Sequence, residues 1–236
     1  MAGNLYYLLA SLPSLGGLGT APPMGFAEML DRLGPSSRYG RLVGLIFLSD
    51  DLLQREAFLA GQLEEPDPAV LTMGQIRNEA PLPEFLVPPE EPEEGGSPAF
   101  QTDQVWAAYF RHIIQIAQTE NSSFLDRWAR MEVSLRNALA QERAKRLGLE
   151  PSDYLVAQEL GDPEADFTDM LREWASAPTP LAGWRVVLRE RWNWCQVNEA
   201  WFRFTEDELL VYAVRLLLLT QWRRSSEEEA ALSAKT

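Results

Sequence analysis

The sequence predicts a mainly α-helical fold, a multi-helix bundle with at most one short strand at its start. Three observations lead there. Apolar residues recur at helical spacing in at least five segments. Gly and Pro punctuate the ends of those segments, and Thr and Val are sparse.

The candidate strand lies within Met1 to Leu18. The segment reads as a short strand or an extended arm: Tyr6-Tyr7-Leu8-Leu9 has strand character without alternation, Leu12-Pro13 stops it, and Gly16-Gly17 and Pro22-Pro23 follow as breaks. The stretch is too short and too lightly flanked for a secretion signal, because the first basic residue is Arg32. It reads as part of the mature fold. Phe26, Met29, Leu30 and Leu33 then form one apolar helical face ending at Gly34-Pro35. From Arg41 to Gly61 a second helix carries Leu42, Leu45, Ile46, Leu52, Leu53, Phe58 and Leu59, with Gly61 as its stop.

Between Gln62 and Phe100 the composition changes to Pro66, Pro68, Pro81, Pro83, Pro88, Pro89, Pro92 and Pro98, with Glu90-Glu91 and Glu93-Glu94. Proline removes helix donors and like charges repel. The tract Pro88 to Pro98 reads as a mobile loop, either on the surface of one domain or linking two. Helices resume at Gln104 to Glu120. Ser123 to Leu147 follows, with Phe124, Trp128, Met131, Leu135, Ala138 and Leu139 on a stripe that stops at Gly148. Asp166 to Trp174 is a short element, ended before Pro178 and Pro180. Trp184 to Phe204 is helical by the spacing of Trp184, Leu188, Trp192, Cys195 and Phe202. Thr205-Glu206-Asp207-Glu208 reads as a capping box for a last helix, Leu209 to Trp222. That helix is apolar nearly all round and too short, at roughly 14 residues, for a bilayer that needs about 20. The expected organisation is one helical domain over 1–224, with the Pro/Glu-rich loop near 62–100 and a frayed polar tail over 225–236.

The 236 residues suffice for a sizeable core, and 46% of them are hydrophobic. Lys+Arg number 21 against Asp+Glu 35, a formal charge of −14. Phosphate backbones and anionic lipid repel such a chain, so neither nucleic-acid binding nor direct membrane insertion is expected. Solubility alone is the other reading of that charge. The single cysteine, Cys195, forbids an intrachain disulfide, and a cytoplasmic location is expected.

Few residues qualify for chemistry, and neither a metal nor a cofactor is expected. Zinc sites need several Cys or His ligands; this chain has Cys195 and His112. Any Ser-His-Asp or Cys-His relay would use His112, which lies beside the stripe Trp106, Phe110, Ile113, Ile114, Ala117 and reads as structural or superficial. Gly16-Gly17-Leu18-Gly19 lacks the Lys-Ser/Thr of a phosphate-binding loop. Glu159, Asp162, Glu164, Asp166 and Asp169 lack calcium-loop spacing; Asp162 or Asp166 is more simply a helix cap. The tryptophans from Trp184 to Trp201 read as helix packing rather than a ligand box. Asp50-Asp51 is a conceivable acid pair, but acid–base chemistry needs converging groups, and spacing shows no convergence.

Four blocks in order carry a family resemblance: the Tyr6-Tyr7 opening; Arg41 to Asp51, an apolar helix running into an Asp-containing turn; Asn121 to Asn137, with Phe124-Leu125, Trp128, Glu132 and Leu135-Arg136-Asn137; and Phe204 to Trp222. Together they resemble a bacterial family encoded beside V-type (A/V-type) ATPase genes and related to the C component of that rotary machine, its stalk-to-ring coupler. The resemblance implies an all-helical cup joining the soluble stalk to the membrane ring of a proton- or sodium-transporting ATP synthase. It implies a coupling or assembly role without chemistry, other V-type ATPase subunits as partners, and peripheral attachment at the cytoplasmic membrane through them. Glu132 and Arg136, at i and i+4, would form a surface pair or, if buried, fix the helix crossing. The alternative function is a free-standing cytoplasmic helical adaptor that binds another protein.

Overall fold

The computed structural model describes residues 2–87, 100–199 and 201–233. The protein is 69% helix, with nine α-helices and no strand among the described residues. The expected loop Pro88 to Pro98 lies outside the described residues. Where the sequence suggests one domain, the backbone groups into two compact units: Met1–Asp50 with Arg172–Thr236, and Asp51–Leu171.

The first unit opens with α1 (Ala2–Ser11), a helix where a strand was expected. The signal was present in Leu5, Leu8, Leu9 and Leu12, which stand at i, i+3, i+4 and i+7, the helical period. Leu5 is buried, and the adjacent Tyr6 and Tyr7 face outward. Helix α2 (Phe26–Leu33) buries the predicted face, and the ring of Phe26 stacks on Phe47 with centroids 4.3 Å apart. Gly34, at φ 74°, closes it. Helix α3 (Arg38–Leu59) starts so close to that turn that a Cβ on Gly40 would lie 2.2 Å from the Gly34 carbonyl oxygen. Only glycine fits there.

The unit is completed by the end of α7 (Thr168–Ser176), α8 (Pro180–Asn198) and α9 (Glu206–Ser233). Thr179 caps α8 by accepting the Ala182 N–H, and Pro180 occupies the first helical position. Helix α8 packs on α9 and buries Val187, Leu188, Trp192 and Cys195. It ends at Asn198, short of the Phe204 that apolar spacing suggested. Every residue from Leu209 to Gln221 is buried, as expected of a helix apolar all round. The polar tail expected from Ser225 is instead a continuation of α9 to Ser233. Its Glu and Ala residues are strong helix formers. Ser225 is buried, and Arg185 donates to Ser226 Oγ and pairs with Glu229.

The second unit holds the end of α3, then α4 (Met73–Ile76), α5 (Gln101–Thr119), α6 (Ser123–Leu147) and the start of α7. Helices α5 and α6 pack as an antiparallel hairpin through a turn at Asn121 (φ 54°). They bury Trp106, Phe110, Ile113 and Ile114 on one side and Phe124, Leu125, Trp128, Met131 and Leu135 on the other. Helix α6 stops at Gly148 in the left-handed conformation, as its sequence predicts. The segment before residue 88 is ordered by its own anchors. Thr72 and Gln75 form a capping box on α4, and Leu71, Ile76 and Leu86 are buried.

Candidate functional site

The adjacent carboxylates Asp50 and Asp51 are both buried on α3, yet they serve different purposes. In the first unit, Asp50 accepts from Gln221 Nε2 at 3.0 Å and from Arg224 Nη1 at 2.6 Å, both on α9. In the second, Asp51 accepts three backbone N–H groups, from Ala69 at 2.9 Å and from Val70 and Leu71 at 2.7 Å each. A carboxylate filled by three main-chain donors is a clamp on the chain entering α4. The acid pair does not converge on a common point.

The second unit contains a half-buried charged cluster. Arg136 on α6 pairs with Asp103 of α5 at 3.0 Å and with Glu56 of α3 at 3.8 Å. Its guanidinium lies 4.6 Å from the Trp106 ring centroid, and the Trp106 indole N–H donates to Glu56. Burial holds the Glu56 carboxyl above its ordinary range, against the opposing pull of Arg136 and the Trp106 hydrogen bond. The ion pairs of Arg136 thus join three helices, with Asp103 and Glu56 as its acids. Asn137, next along α6, is buried and bonds both the N–H and the carbonyl of Val156, at 2.8 and 2.9 Å. Neighbouring Arg55 donates to the Gln75 carbonyl and to Asn78 Oδ1.

The other candidates disperse. His112 stacks on Phe85 with ring centroids 4.0 Å apart, and burial pushes its pKa below the ordinary value. Glu159 pairs with Arg111, Asp162 accepts the Glu164 N–H, and Asp166 accepts from both the N–H and the hydroxyl of Thr168. Among the described residues no cluster of three or more His, Cys, Asp or Glu could hold a metal ion.

The turn between α8 and α9 carries a feature that apolar spacing does not reveal. Residues 201–204 leave α8 in a turn that sets two bulky residues at positive φ, Phe202 at 61° and Phe204 at 54°. Glu208, buried on the first turn of α9, does not close a capping box on Thr205; its two oxygens accept the N–H groups of Phe202 and Phe204. Arg215, seven residues on and on the same helix face, pairs with Glu199. Its guanidinium lies between the rings of Trp192 and Trp201, at 4.9 and 5.0 Å. Two of the four tryptophans from Trp184 to Trp201, the buried Trp192 and the exposed Trp201, thus flank an arginine. Phe202, Phe204, Tyr6 and Tyr7 are all exposed, and Tyr6 touches Phe204 at 4.5 Å between centroids.

Charge is divided far less evenly than length between the two units. Residues 51–171 hold 9 Lys+Arg against 23 Asp+Glu, the whole formal −14, while the other unit balances at 12 of each. Among the described residues no helix is long and apolar enough to cross a membrane.

A family model described as "Protein of unknown function (DUF2764)" matches residues 71–232, and the chain belongs to that family. No curated protein and no solved structure matches it.

Proposed function

We propose that this DUF2764 protein is a non-enzymatic coupling or assembly subunit of a V-type ATPase, working by protein contact between the soluble stalk and the membrane ring. The observation that carries the reading is the fate of Asp50 and Asp51. Both acids are fully engaged in holding helices and main chain together. The convergence of groups in a cleft that acid–base chemistry requires is replaced by structural ties. The all-helical build supports the same role, as do the blocks Arg41 to Asp51 and Phe204 to Trp222 that resemble the stalk-to-ring coupler. The charge division supports contact with basic protein surfaces through residues 51–171, and gives the chain no attraction of its own to anionic lipid.

The test is fractionation of cells with and without the ring proteins, combined with purification of a tagged copy from native membranes. Stalk and ring proteins should co-purify, and the membrane-bound pool should vanish when the ring is absent. An entirely soluble wild-type pool, or equal membrane binding in both strains, would favour a free-standing adaptor.

A further inference from the structure

We infer that the aromatic surface formed by Phe202, Arg203, Phe204, Tyr6 and Tyr7 is a docking face for an apolar protein helix that carries a carboxylate opposite Arg203. This rests on the reading of the chain as a docking protein, but not on the partner being an ATPase.

Phe202 is 85% exposed, so its ring gains little from folding, yet its backbone occupies a region that bulky residues rarely enter. Phe204 repeats the strain two residues later. Such a conformation persists only where the surroundings impose it. Here the imposing group is Glu208, a buried carboxylate on a largely apolar helix, which accepts both N–H groups. The core therefore gives up apolar packing to hold a turn whose aromatic side chains face solvent. Tyr6 on Phe204, and Tyr7 edge-on to Tyr6 at 5.6 Å, add two exposed rings beside the turn.

Charge selects the occupant. The nearby acids are engaged: Glu199 by Arg215, Glu206 by Arg38, and Glu208 by main chain. Arg203 is exposed between the two phenylalanines and makes no ion pair among the described residues. An exposed cation flanked in the chain by two exposed phenylalanines can pair with a carboxylate on an apolar helix. A second copy fits poorly, because a twofold contact sets this patch on itself and the nearby acids Glu199, Glu206 and Glu208 are already engaged, leaving no carboxylate for Arg203. The unit that carries the patch is formally neutral, with 12 Lys+Arg against 12 Asp+Glu, so it supplies no net attraction to an anionic lipid surface.

The experiment uses the full chain and three fluorescein-labelled helical peptides that share a Leu/Phe face and differ in one flanking residue, Glu, Gln or Lys. The Glu peptide should bind by anisotropy, with the Gln peptide about tenfold weaker and the Lys peptide weaker still. Arg203→Glu should reverse the order of the Glu and Lys peptides, and Phe202→Ser should weaken all three. Both side chains are exposed, so both variants should melt as the wild type does. Equal binding of the three peptides, or none, overturns the proposal. So does vesicle binding (phosphatidylcholine with phosphatidylglycerol) that Arg203→Glu abolishes, or a dimer in sedimentation that Phe202→Ser dissolves. Peptide selectivity without ATPase co-purification would refute the ATPase reading and leave this surface standing. Co-purification with no peptide selectivity would do the reverse.

Discussion

Asp50 and Arg224 stand 174 residues apart in the chain and meet at 2.6 Å, with Gln221 donating to the other oxygen of the same carboxylate. Asp50 is almost fully buried, whereas the Arg224 side chain keeps about a third of its surface in water. The acid therefore bears the larger desolvation, and its partners compensate it. Asp50→Ala should destabilise the protein by about 1.5–3 kcal/mol, the range for hydrogen bonds to a charged group. Asp50→Asn, which can still accept from Gln221, should cost less. Urea denaturation monitored by tryptophan fluorescence gives both values, and equal losses would contradict this account of the site.

Asp51 should show a different signature. Its removal strands three main-chain donors rather than a side-chain partner. Asp51→Ala should cost ~2–4 kcal/mol, because Leu71 is buried while Ala69 and Val70 are open enough for water to replace part of the loss. Hydrogen exchange offers a local readout. The amides of Ala69, Val70 and Leu71 should lose protection in the variant, and unchanged protection there would show that the carboxylate is not their essential partner.

Helix α9 should dominate the stability of its unit. Leu216 has no exposed surface, and Leu216→Ala should cost on the order of 2–5 kcal/mol. A denaturant midpoint equal to that of the wild type would mean that this face is not packed.

The single histidine provides a pH test. Burial beside Phe85 lowers the pKa of His112 from its ordinary 6.5. Between the lowered value and 6.5 the unfolded chain binds more protons, so stability rises with pH through that window and is lost as pH falls below 6.5. His112→Gln should flatten this part of the melting-temperature profile. Proton NMR of the one imidazole should give a midpoint below 6.5; a midpoint above it would contradict the burial argument.

Much of the fold was legible without coordinates. Phe26 to Leu33, Ser123 to Leu147 with its Gly148 stop, and the buried stretch of α9 follow from apolar spacing and from glycine's tolerance of the left-handed conformation. At α1 the paired tyrosines suggest a strand, whereas the leucines keep the helical period that the structure adopts. At the end of α9 the polar composition suggested a tail, although Glu and Ala favour helix.

The positions of the charged groups were not legible in this way. Sequence places Asp50 and Asp51 side by side and Glu132 four residues before Arg136. It contains no information about which main-chain donors return to Asp51, or that Asp103 and Glu56 come to Arg136. Spacing along a helix determines which face a residue occupies, because that depends on local backbone geometry alone. What the residue meets there depends on contacts closed by tens to hundreds of intervening residues. That Glu208 accepts the N–H groups of Phe202 and Phe204, and that Arg215 pairs with Glu199, was decided only when α8 packed on α9.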